Sequence, residues 1–398
     1  LNFADGRNEL EVWMEDEEHH QIENSESRKA FWIDSVRPVI GLEVSGGADI
    51  WHKEAAEVVV EASDGSNGSQ IAEIICKTGE KIVGKSSKGA EKFVITESSQ
   101  NGESTTVTII ATDYAGNQTV VTDRVFVDRD APKALIQGVE DYTITSKPVQ
   151  VSYLAEEENV IQTVRANILK EDIDGKKEET EITEWKTKSR NESGDTKKES
   201  VQTLAEDGLY KLRMNVTDMA GNVSHAERQL IIDKENPVIA HVDELDGKYL
   251  KKFSWNYSIE ESIKDFTNYT YVMKVDDAFY RPGEKIEKEG VHVLTIEAFD
   301  SAGNKGEAKA RFTIDHTPPV IEFEGIEDGE KYEKEKTFYV RTENLEDQIE
   351  YIKINGKKQN RKKQKKGYEI QLNEAKNYEI EVKAKDFAGN EKVSQIGF

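Results

Sequence analysis

The chain has 398 residues, of which 36% are hydrophobic and 33% are charged, so we expect several small cores and not one large core. Its 78 Asp and Glu outnumber 54 Lys and Arg, and the net charge of -24 argues against binding to nucleic acid or to anionic membranes. No apolar stretch approaches the roughly 18 residues of a membrane-spanning helix. The one cysteine, Cys76, excludes an intrachain disulfide and is predicted to be a buried thiol in a strand.

One five-residue sequence recurs four times along the chain. The copies are Asp113-Tyr-Ala-Gly-Asn117, Asp218-Met-Ala-Gly-Asn222, Asp300-Ser-Ala-Gly-Asn304 and Asp386-Phe-Ala-Gly-Asn390. They start 105, 82 and 86 residues apart, which is the size of one immunoglobulin-like (Ig-like) β-sandwich and too long for a solenoid or propeller repeat. Each period therefore predicts one domain.

Apolar residues alternate with polar residues before each copy, at positions six, four and two before the motif Asp. These residues are Val107, Ile109 and Ala111; Leu212, Met214 and Val216; Leu294, Ile296 and Ala298; and Ile380, Val382 and Ala384. A period of two predicts a strand with one buried face, and a second alternating run after the motif predicts its partner. In the turn between them, Gly supplies a positive φ, Asn tolerates left-handed geometry and Asp accepts backbone amides.

A second aspartate lies fifteen residues after the motif Asp in three copies, and a proline follows it four residues later. These linker aspartates are Asp128, Asp233 and Asp315, and the prolines are Pro132, Pro237 and Pro319. Because proline suits a linker that feeds an edge strand, we place the domain boundaries there. The predicted domains are 1–34 (a partial repeat), 35–130, 131–235 with an inserted loop, 236–317, and 318–398 with a basic hairpin.

Residues 1–34 match the end of a repeat, because Leu10, Val12 and Met14 precede Asp16 in the same register and Asp34 takes the place of the linker aspartate. Here Glu17-Glu18-His19-His20 replaces Ala-Gly-Asn, and the loop is three residues longer. We therefore predict the terminal hairpin of a fifth repeat. We also expect the chain to be a monomeric segment of a longer protein.

The predicted fold class is all-β, with tandem immunoglobulin-like β-sandwich domains in an elongated array. With its repeated Asp-x-Ala-Gly-Asn hairpins, the whole chain resembles the bacterial Ig-like domain family that occurs in tandem on Gram-positive cell-surface proteins. The resemblance implies an extracellular or cell-wall location and a non-catalytic role as a stalk, spacer or adhesin segment. It leaves two alternatives, which are ligand binding (glycan or host protein) by loops of one repeat, and accessory domains of a secreted hydrolase.

No catalytic or cofactor-binding motif is present, so we predict no enzyme, no cofactor and no metal site. The alternative is calcium bound by carboxylates near the domain junctions. The candidate groups are Asp113, Asp128 and Asp130, and Asp218, Asp233 and Glu235. Turn chemistry is favoured because no dense run of acidic residues occurs. His19 and His20 beside Glu17 and Glu18 could also bind a metal, but an exposed acidic loop is favoured.

A tyrosine or histidine stands eight residues before three of the motif aspartates, at Tyr210, His292 and Tyr378. The segment Asp207–Tyr210 resembles the tyrosine corner of Ig sandwiches, so a structural hydroxyl contact is predicted, with His292 a half-buried spacer. The segment Asp172–Gly175 is predicted to be a hairpin turn and not a calcium loop.

Two segments interrupt the repeat pattern. The polar insertion 185–198 predicts a long hairpin loop, with Trp185 the best aromatic candidate for ligand binding; Trp51 and Trp255 lie at non-equivalent positions. The second segment is basic and contains Lys357, Lys358, Arg361, Lys362, Lys363, Lys365 and Lys366. It predicts a solvated hairpin tip or a docking site for an anionic cell-wall polymer.

Overall fold

The computed structural model describes residues 1–186, 196–333, 335–360, 363–374 and 376–398. The chain forms two compact units, one of Leu1–Thr143 with Pro148–Ile232 and the other of Ile144–Lys147 with Asp233–Phe398. Nearly all of the regular structure in the described residues is β-strand. The predicted all-β fold of tandem Ig-like sandwiches is therefore confirmed.

The first unit starts with a two-stranded hairpin of β1 (Gly6–Val12) and β2 (Ser27–Ile33). The following strands are β3 (Val39–Val44), β4 (Trp51–His52), β5 (Ala56–Ser63), β6 (Ile71–Thr78), β7 (Lys81–Ser86), β8 (Ala90–Ile95), β9 (Thr105–Asp113) and β10 (Gln118–Val127). They form the sheets β3-β5-β8 and β4-β10-β9-β6-β7. Because Val60 of one sheet and Ile109 of the other belong to one buried cluster, the two sheets pack as a sandwich.

The next strands form a second sandwich. They are β11 (Lys133–Gln137), β12 (Thr143–Thr145), β13 (Val149–Glu156), β14 (Ile161–Glu171), β15 (Lys177–Lys186), β16 (Lys197–Leu204), β17 (Gly208–Asp218) and β18 (Val223–Ile232). One sheet is β11-β13-β16, and the four long strands of the other lie in the order β15-β14-β17-β18. Tyr153 and Leu212, from opposite sheets, are both buried in the core between them.

In the second unit, the first sandwich is reduced on one side. Its elements are β19 (Val238–Ile239), a 3-10 helix (Asp243–Leu245), β20 (Tyr249–Leu250), α1 (Ile259–Ser262), β21 (Ile263–Lys264), β22 (Tyr269–Val275), β23 (Ala278–Phe279), β24 (Gly290–Asp300) and β25 (Lys305–Ile314). The sheet β20-β25-β24-β22-β23 faces only the pair β19-β21. The large side chains of Phe253, Trp255 and Tyr280 fill this core.

The last sandwich has two four-stranded sheets. Its strands are β26 (Ile321–Glu324), β27 (Lys336–Thr342), β28 (Gln348–Ile354), β29 (Lys357–Lys358), β30 (Lys363–Gln364), β31 (Gly367–Leu372), β32 (Glu379–Lys385) and β33 (Glu391–Gly397). The sheets are β26-β27-β31-β30 and β29-β28-β32-β33. Phe338 and Ile380, one from each sheet, are fully buried between them.

The repeated motif joins β9 to β10, β17 to β18, β24 to β25 and β32 to β33. All twelve apolar residues predicted to be buried before the motif are at most 1% exposed, because strand alternation places them on the core face. Cys76 on β6 is fully buried, as predicted. Each core lies within one predicted domain, while the domain boundaries themselves stay a prediction.

Candidate functional site

The four Asp-x-Ala-Gly-Asn turns have the same main-chain geometry. In the first, the Asp113 N–H donates to the carbonyl of Asn117 (3.1 Å), and the Asn117 N–H donates to Asp113 Oδ1 (2.8 Å). In the other three turns the second bond measures 2.7–2.8 Å. Gly116 has a φ of 95°, which only glycine adopts readily. The predicted roles of Asp and Gly are confirmed.

The motif Asn has a role that differs from the expected one. Among the described residues, none of the four motif asparagines has a positive φ, so left-handed geometry is not the reason for Asn. Its Nδ2 instead donates to Oδ2 of the motif Asp at 2.7–2.9 Å. Nδ2 also donates to the main-chain carbonyl of the linker aspartate that precedes the repeat. These pairs are Asn117 with Asp34 (3.0 Å), Asn222 with Asp128 (2.9 Å), Asn304 with Asp233 (2.8 Å) and Asn390 with Asp315 (2.8 Å).

The linker aspartates form Asx turns. Oδ1 of Asp34, Asp128, Asp233 and Asp315 accepts the N–H two residues further on, at 2.9–3.3 Å. Asp130 and Glu235, which the sequence suggested as calcium ligands, contribute those backbone N–H groups. Each linker therefore bends at its aspartate, which directs the side chain toward the following repeat.

Carboxylates do gather at the junctions, but in different groups from those suggested by the sequence. Asp113 lies with Asp34 and Asp64, and one oxygen from each lies within 4.8 Å of the others. The same holds for Asp233, Asp265 and Asp300. The motif Asp thus meets the linker aspartate before its own repeat, because the turn between the last two strands lies at the end where the chain enters the sandwich.

Equivalent carboxylates interact at the other two junctions. Burial raises the pKa of Asp218 and of Glu157, and the charge of Asp128 raises both further. Burial, followed by the charges of Asp386 and Asp315, raises the pKa of Asp347. All four junctions therefore combine a linker aspartate, a second carboxylate and the motif Asp.

Several of these carboxylate oxygens are buried without a hydrogen-bond partner. In the described part of the chain they are Asp64 Oδ1, Asp128 Oδ2, Glu157 Oε2 and Asp233 Oδ2. Burial, with the nearby charge of Asp265, raises the pKa of Asp233 to about 6, and burial with Asp34 raises that of Asp64. Such oxygens are costly in a folded protein unless they meet a donor or a cation.

The hairpin of residues 1–34 repeats the motif turn with His20 in the place of Asn. The Asp16 N–H donates to the carbonyl of His20 and the His20 N–H donates to Asp16 Oδ1, each at 2.9 Å, and His20 Nδ1 lies 3.6 Å from Asp16 Oδ2. The three additional residues follow the turn, since Met14 still pairs with Ile22 while Val12 pairs with Ser27. His19 and His20 are exposed, which agrees with the acidic-loop interpretation.

Tyr210, His292 and Tyr378 stand eight residues before a motif Asp. Each side chain contacts the main-chain carbonyl of the residue four positions before it. The hydroxyls of Tyr210 and Tyr378 donate to Glu206 (2.7 Å) and Glu374 (3.1 Å), so the predicted hydroxyl contact is confirmed. His292 Nε2 contacts the carbonyl of Lys288 (2.6 Å) and Nδ1 contacts Asp276 (2.6 Å). The prediction of a half-buried spacer was wrong, because the imidazole is buried and replaces the tyrosine hydroxyl.

The tryptophans singled out in the sequence form no exposed platform. Trp51 and Trp255 are buried, and Trp185 packs partly against a core with the ammonium of Lys198 over its ring at 4.1 Å. Residues 187–195 of the predicted inserted loop lie outside the described residues. The segment Asp172–Lys176 forms the predicted hairpin turn, with Lys176 N–H donating to Asp172 Oδ1 (2.8 Å).

The basic segment follows a turn at Asn355 and Gly356, both of which have positive φ. Lys357 and Lys358 lie on β29 at the edge of one sheet, whereas Lys363 lies on β30 at the edge of the other. Arg361 and Lys362 lie outside the described residues. The predicted solvated hairpin tip corresponds to the exposed turn at Lys365 and Lys366, which joins β30 to β31.

Comparisons with known proteins agree with this fold. The sequence model of a family described as a bacterial Ig-like domain matches residues 174–234. No curated protein shows significant sequence similarity to the chain.

Three solved structures show low similarity to the chain. A tetra-tandem repeat in the extending region of a large adhesion protein is 13% identical, with 91% of this chain and 98% of that chain covered and a TM-score of 0.32. An ICAM-5 ectodomain fragment is 10% identical, with the same coverages and a TM-score of 0.39. The fibronectin(III)-like modules of Clostridium thermocellum CbhA are 10% identical, covering 49% of this chain and 94% of theirs, with a TM-score of 0.24. These similarities concern the fold alone.

Proposed function

We propose that the chain is a non-catalytic spacer or adhesin segment, in which successive Ig-like repeats hold a functional region away from its anchoring point. One observation supports this proposal above the others. Every motif Asn bonds the linker carbonyl that precedes its repeat, at 2.8–3.0 Å. A side-chain hydrogen bond that recurs at each linker restricts bending there. A spacer needs this restriction, whereas an isolated binding module does not.

The same proposal places the protein outside the cell, on the wall of a Gram-positive bacterium or in the medium. In the described residues, no helix is both long and apolar enough to span a bilayer. An anionic wall polymer could dock on the exposed lysines Lys357 and Lys358, the edge of the basic segment. The net charge of -24 opposes nucleic-acid binding.

Solution X-ray scattering of the full chain tests the spacer role. Four sandwiches in series, each on the order of 40 Å long, should give a particle of roughly 150 Å or more in its largest dimension. The spacer proposal fails if the distance distribution is that of a compact globule. Measurement at low and high salt controls for repulsion within an acidic chain.

A second candidate function, ligand recognition by one repeat, is favoured by a cleft of about 680 Å³ in the third sandwich. The rings of His241 and Tyr257 stack at 4.0 Å, and Glu244 bonds both side chains (2.8 and 2.9 Å). Trp255, which also lines the cleft, has a buried Nε1 without a partner. An aromatic stack beside polar groups suits a sugar ring.

A glycan array probed with the full chain tests this candidate. Binding that Tyr257→Ala abolishes and Tyr249→Ala retains would favour recognition at the cleft, whereas an array without bound glycans would reject glycan recognition there. The third alternative, accessory domains of a secreted hydrolase, is decided by the sequence that flanks this segment in its gene.

A further inference from the structure

We propose that two of the four repeat junctions each bind a calcium ion between the linker aspartate, a second aspartate and the motif aspartate. The two sites with the closest oxygens are Asp34, Asp64 and Asp113, and Asp233, Asp265 and Asp300. The sequence alone assigned no metal, because three residues so far apart in the chain show no dense motif. This inference does not depend on the spacer function, since a calcium site would serve any tandem array.

The separation of the oxygens fits a large, hard cation. Calcium binds oxygen at 2.3–2.6 Å, so two oxygens on one ion lie no more than about 5 Å apart. One oxygen from each of the three aspartates lies within 4.8 Å of the others in both groups. Neither group includes Cys or His, which disfavours zinc, and magnesium would need shorter bonds in a stricter octahedral geometry.

Buried oxygens without a partner point to a ligand at these places. Asp64 is 7% exposed, and its Oδ2 accepts the Gln70 N–H (2.9 Å) while Oδ1 has no partner. Asp233 is 1% exposed, and its Oδ1 accepts the Glu235 N–H (3.3 Å) while Oδ2 has no partner. Each of these carboxylates therefore keeps one buried oxygen free for a cation.

In the part of the chain that the structure describes, no ion pair within 4.0 Å joins any of the six aspartates to Lys, Arg or His. Three carboxylates this close repel one another in a partly buried site, and this repulsion opposes folding. A divalent ion would convert the repulsion into attraction.

The remaining two junctions carry carboxylates at the same positions, but among the described residues their oxygens do not converge within 4.8 Å. Asp128 Oδ2 and Glu157 Oε2 are both buried and unpartnered, next to Asp218. Asp347 is buried, and its Oδ1 accepts a hydrogen bond from Asn344 Nδ2 (3.2 Å). In all four repeats the second carboxylate follows the linker aspartate by 29 to 32 residues. The calcium proposal is confined to the two junctions whose oxygens converge.

Calorimetric titration of calcium chloride into the chelator-treated full chain tests the proposal. We expect two ions per wild-type chain, and one for Asp265→Asn. The matched control is Asp277→Asn in the same repeat, an exposed turn residue with a φ of 65°, and it should bind as many ions as the wild type. Magnesium chloride should bind at least about tenfold more weakly.

Thermal unfolding separates loss of the site from loss of the fold. Without calcium, Asp265→Asn should unfold at or above the wild-type temperature, because one of three repelling charges is gone. A calcium concentration of about 5 mM lies above the Kd range of extracellular calcium modules. At this concentration the unfolding temperature of the wild type should rise by more than that of the variant. The proposal is overturned if the wild type binds no calcium, if Asp265→Asn binds as many ions as the wild type, or if magnesium binds as tightly as calcium.

Discussion

Asn390 Nδ2 donates a 2.8 Å hydrogen bond to the main-chain carbonyl of Asp315, 75 residues earlier in the chain. Asp315 directly follows β25, the last strand of the preceding sandwich, and Asn390 closes the last turn of the next. The bond therefore fastens the linker onto the repeat that it enters. This bond explains why Asn recurs in all four turns, since a turn alone would accept many other residues at that position.

Loss of the hydrogen bond from a motif Asn to the linker carbonyl should destabilise the repeat that contains the Asn. In Asn222→Ala, the buried Asp128 carbonyl and Asp218 Oδ2 both lose their Asn222 donor, which should cost about 2–4 kcal/mol of unfolding free energy. Urea unfolding followed by the fluorescence of Trp185, which packs on the same core, measures the effect. The control Asn215→Ala, on the exposed face of β17, should change stability by less than about 0.5 kcal/mol. Equal effects of the two variants would contradict the assigned role.

Two glycines of the third sandwich should respond differently to alanine. Gly303 has a φ of 91°, and a new Cβ there would meet no atom within 4 Å. Gly303→Ala should therefore lower the unfolding free energy by only about 1–2 kcal/mol, the cost of placing alanine in left-handed backbone geometry. At Gly306, a new Cβ would lie 2.1 Å from the carbonyl oxygen of Pro237, so Gly306→Ala should cost about 3 kcal/mol or more. Urea unfolding with Trp255 as the reporter compares them. A smaller loss for Gly306→Ala would show that the linker at Pro237 moves freely.

Stability should fall as the pH rises through the range where Asp233 ionises. Its pKa is raised to about 6 in the folded chain from an ordinary 3.8, so the folded state binds the proton more tightly. By linkage, the stability that this carboxyl contributes is highest below about pH 4 and is lost as the pH rises to about 6. Chemical unfolding in a chelator at pH 5 and pH 7 should show this loss in the wild type, with a smaller one in Asp233→Asn. If both chains have the same pH dependence, the raised pKa is wrong.

The thiol of Cys76 should be inert in the folded chain. It is fully buried on β6, and burial raises its pKa to about 11. Because the thiolate is the reactive form, reaction with a disulfide reagent at neutral pH should be roughly a hundredfold slower or more than in denaturant. Absorbance of the released thiol measures both rates on the same sample. Rapid labelling without denaturant would show that the first core opens frequently.

The sequence by itself determined the periodicity, the paired strands and the turn between them. Apolar residues such as Val107, Ile109 and Ala111 occupy every second position. A strand with one buried face requires this pattern, so the pattern is visible in any single repeat. Glycine in the turn is likewise a local requirement, since a φ of 95° at Gly116 depends only on the backbone. Local rules of this kind can be read from one stretch of chain.

Only the tertiary structure decided which residues meet at a junction. Asp34, Asp64 and Asp113 belong to a linker and to two separate loops, and Asn117 reaches a carbonyl 83 residues away. Sequence distance carries no information about such contacts, so the sequence groups Asp113 with the wrong aspartates and predicts only a spacer role for His292. These positions become neighbours because the sandwich brings the incoming linker and the last turn to the same end, and that depends on the packing of two sheets.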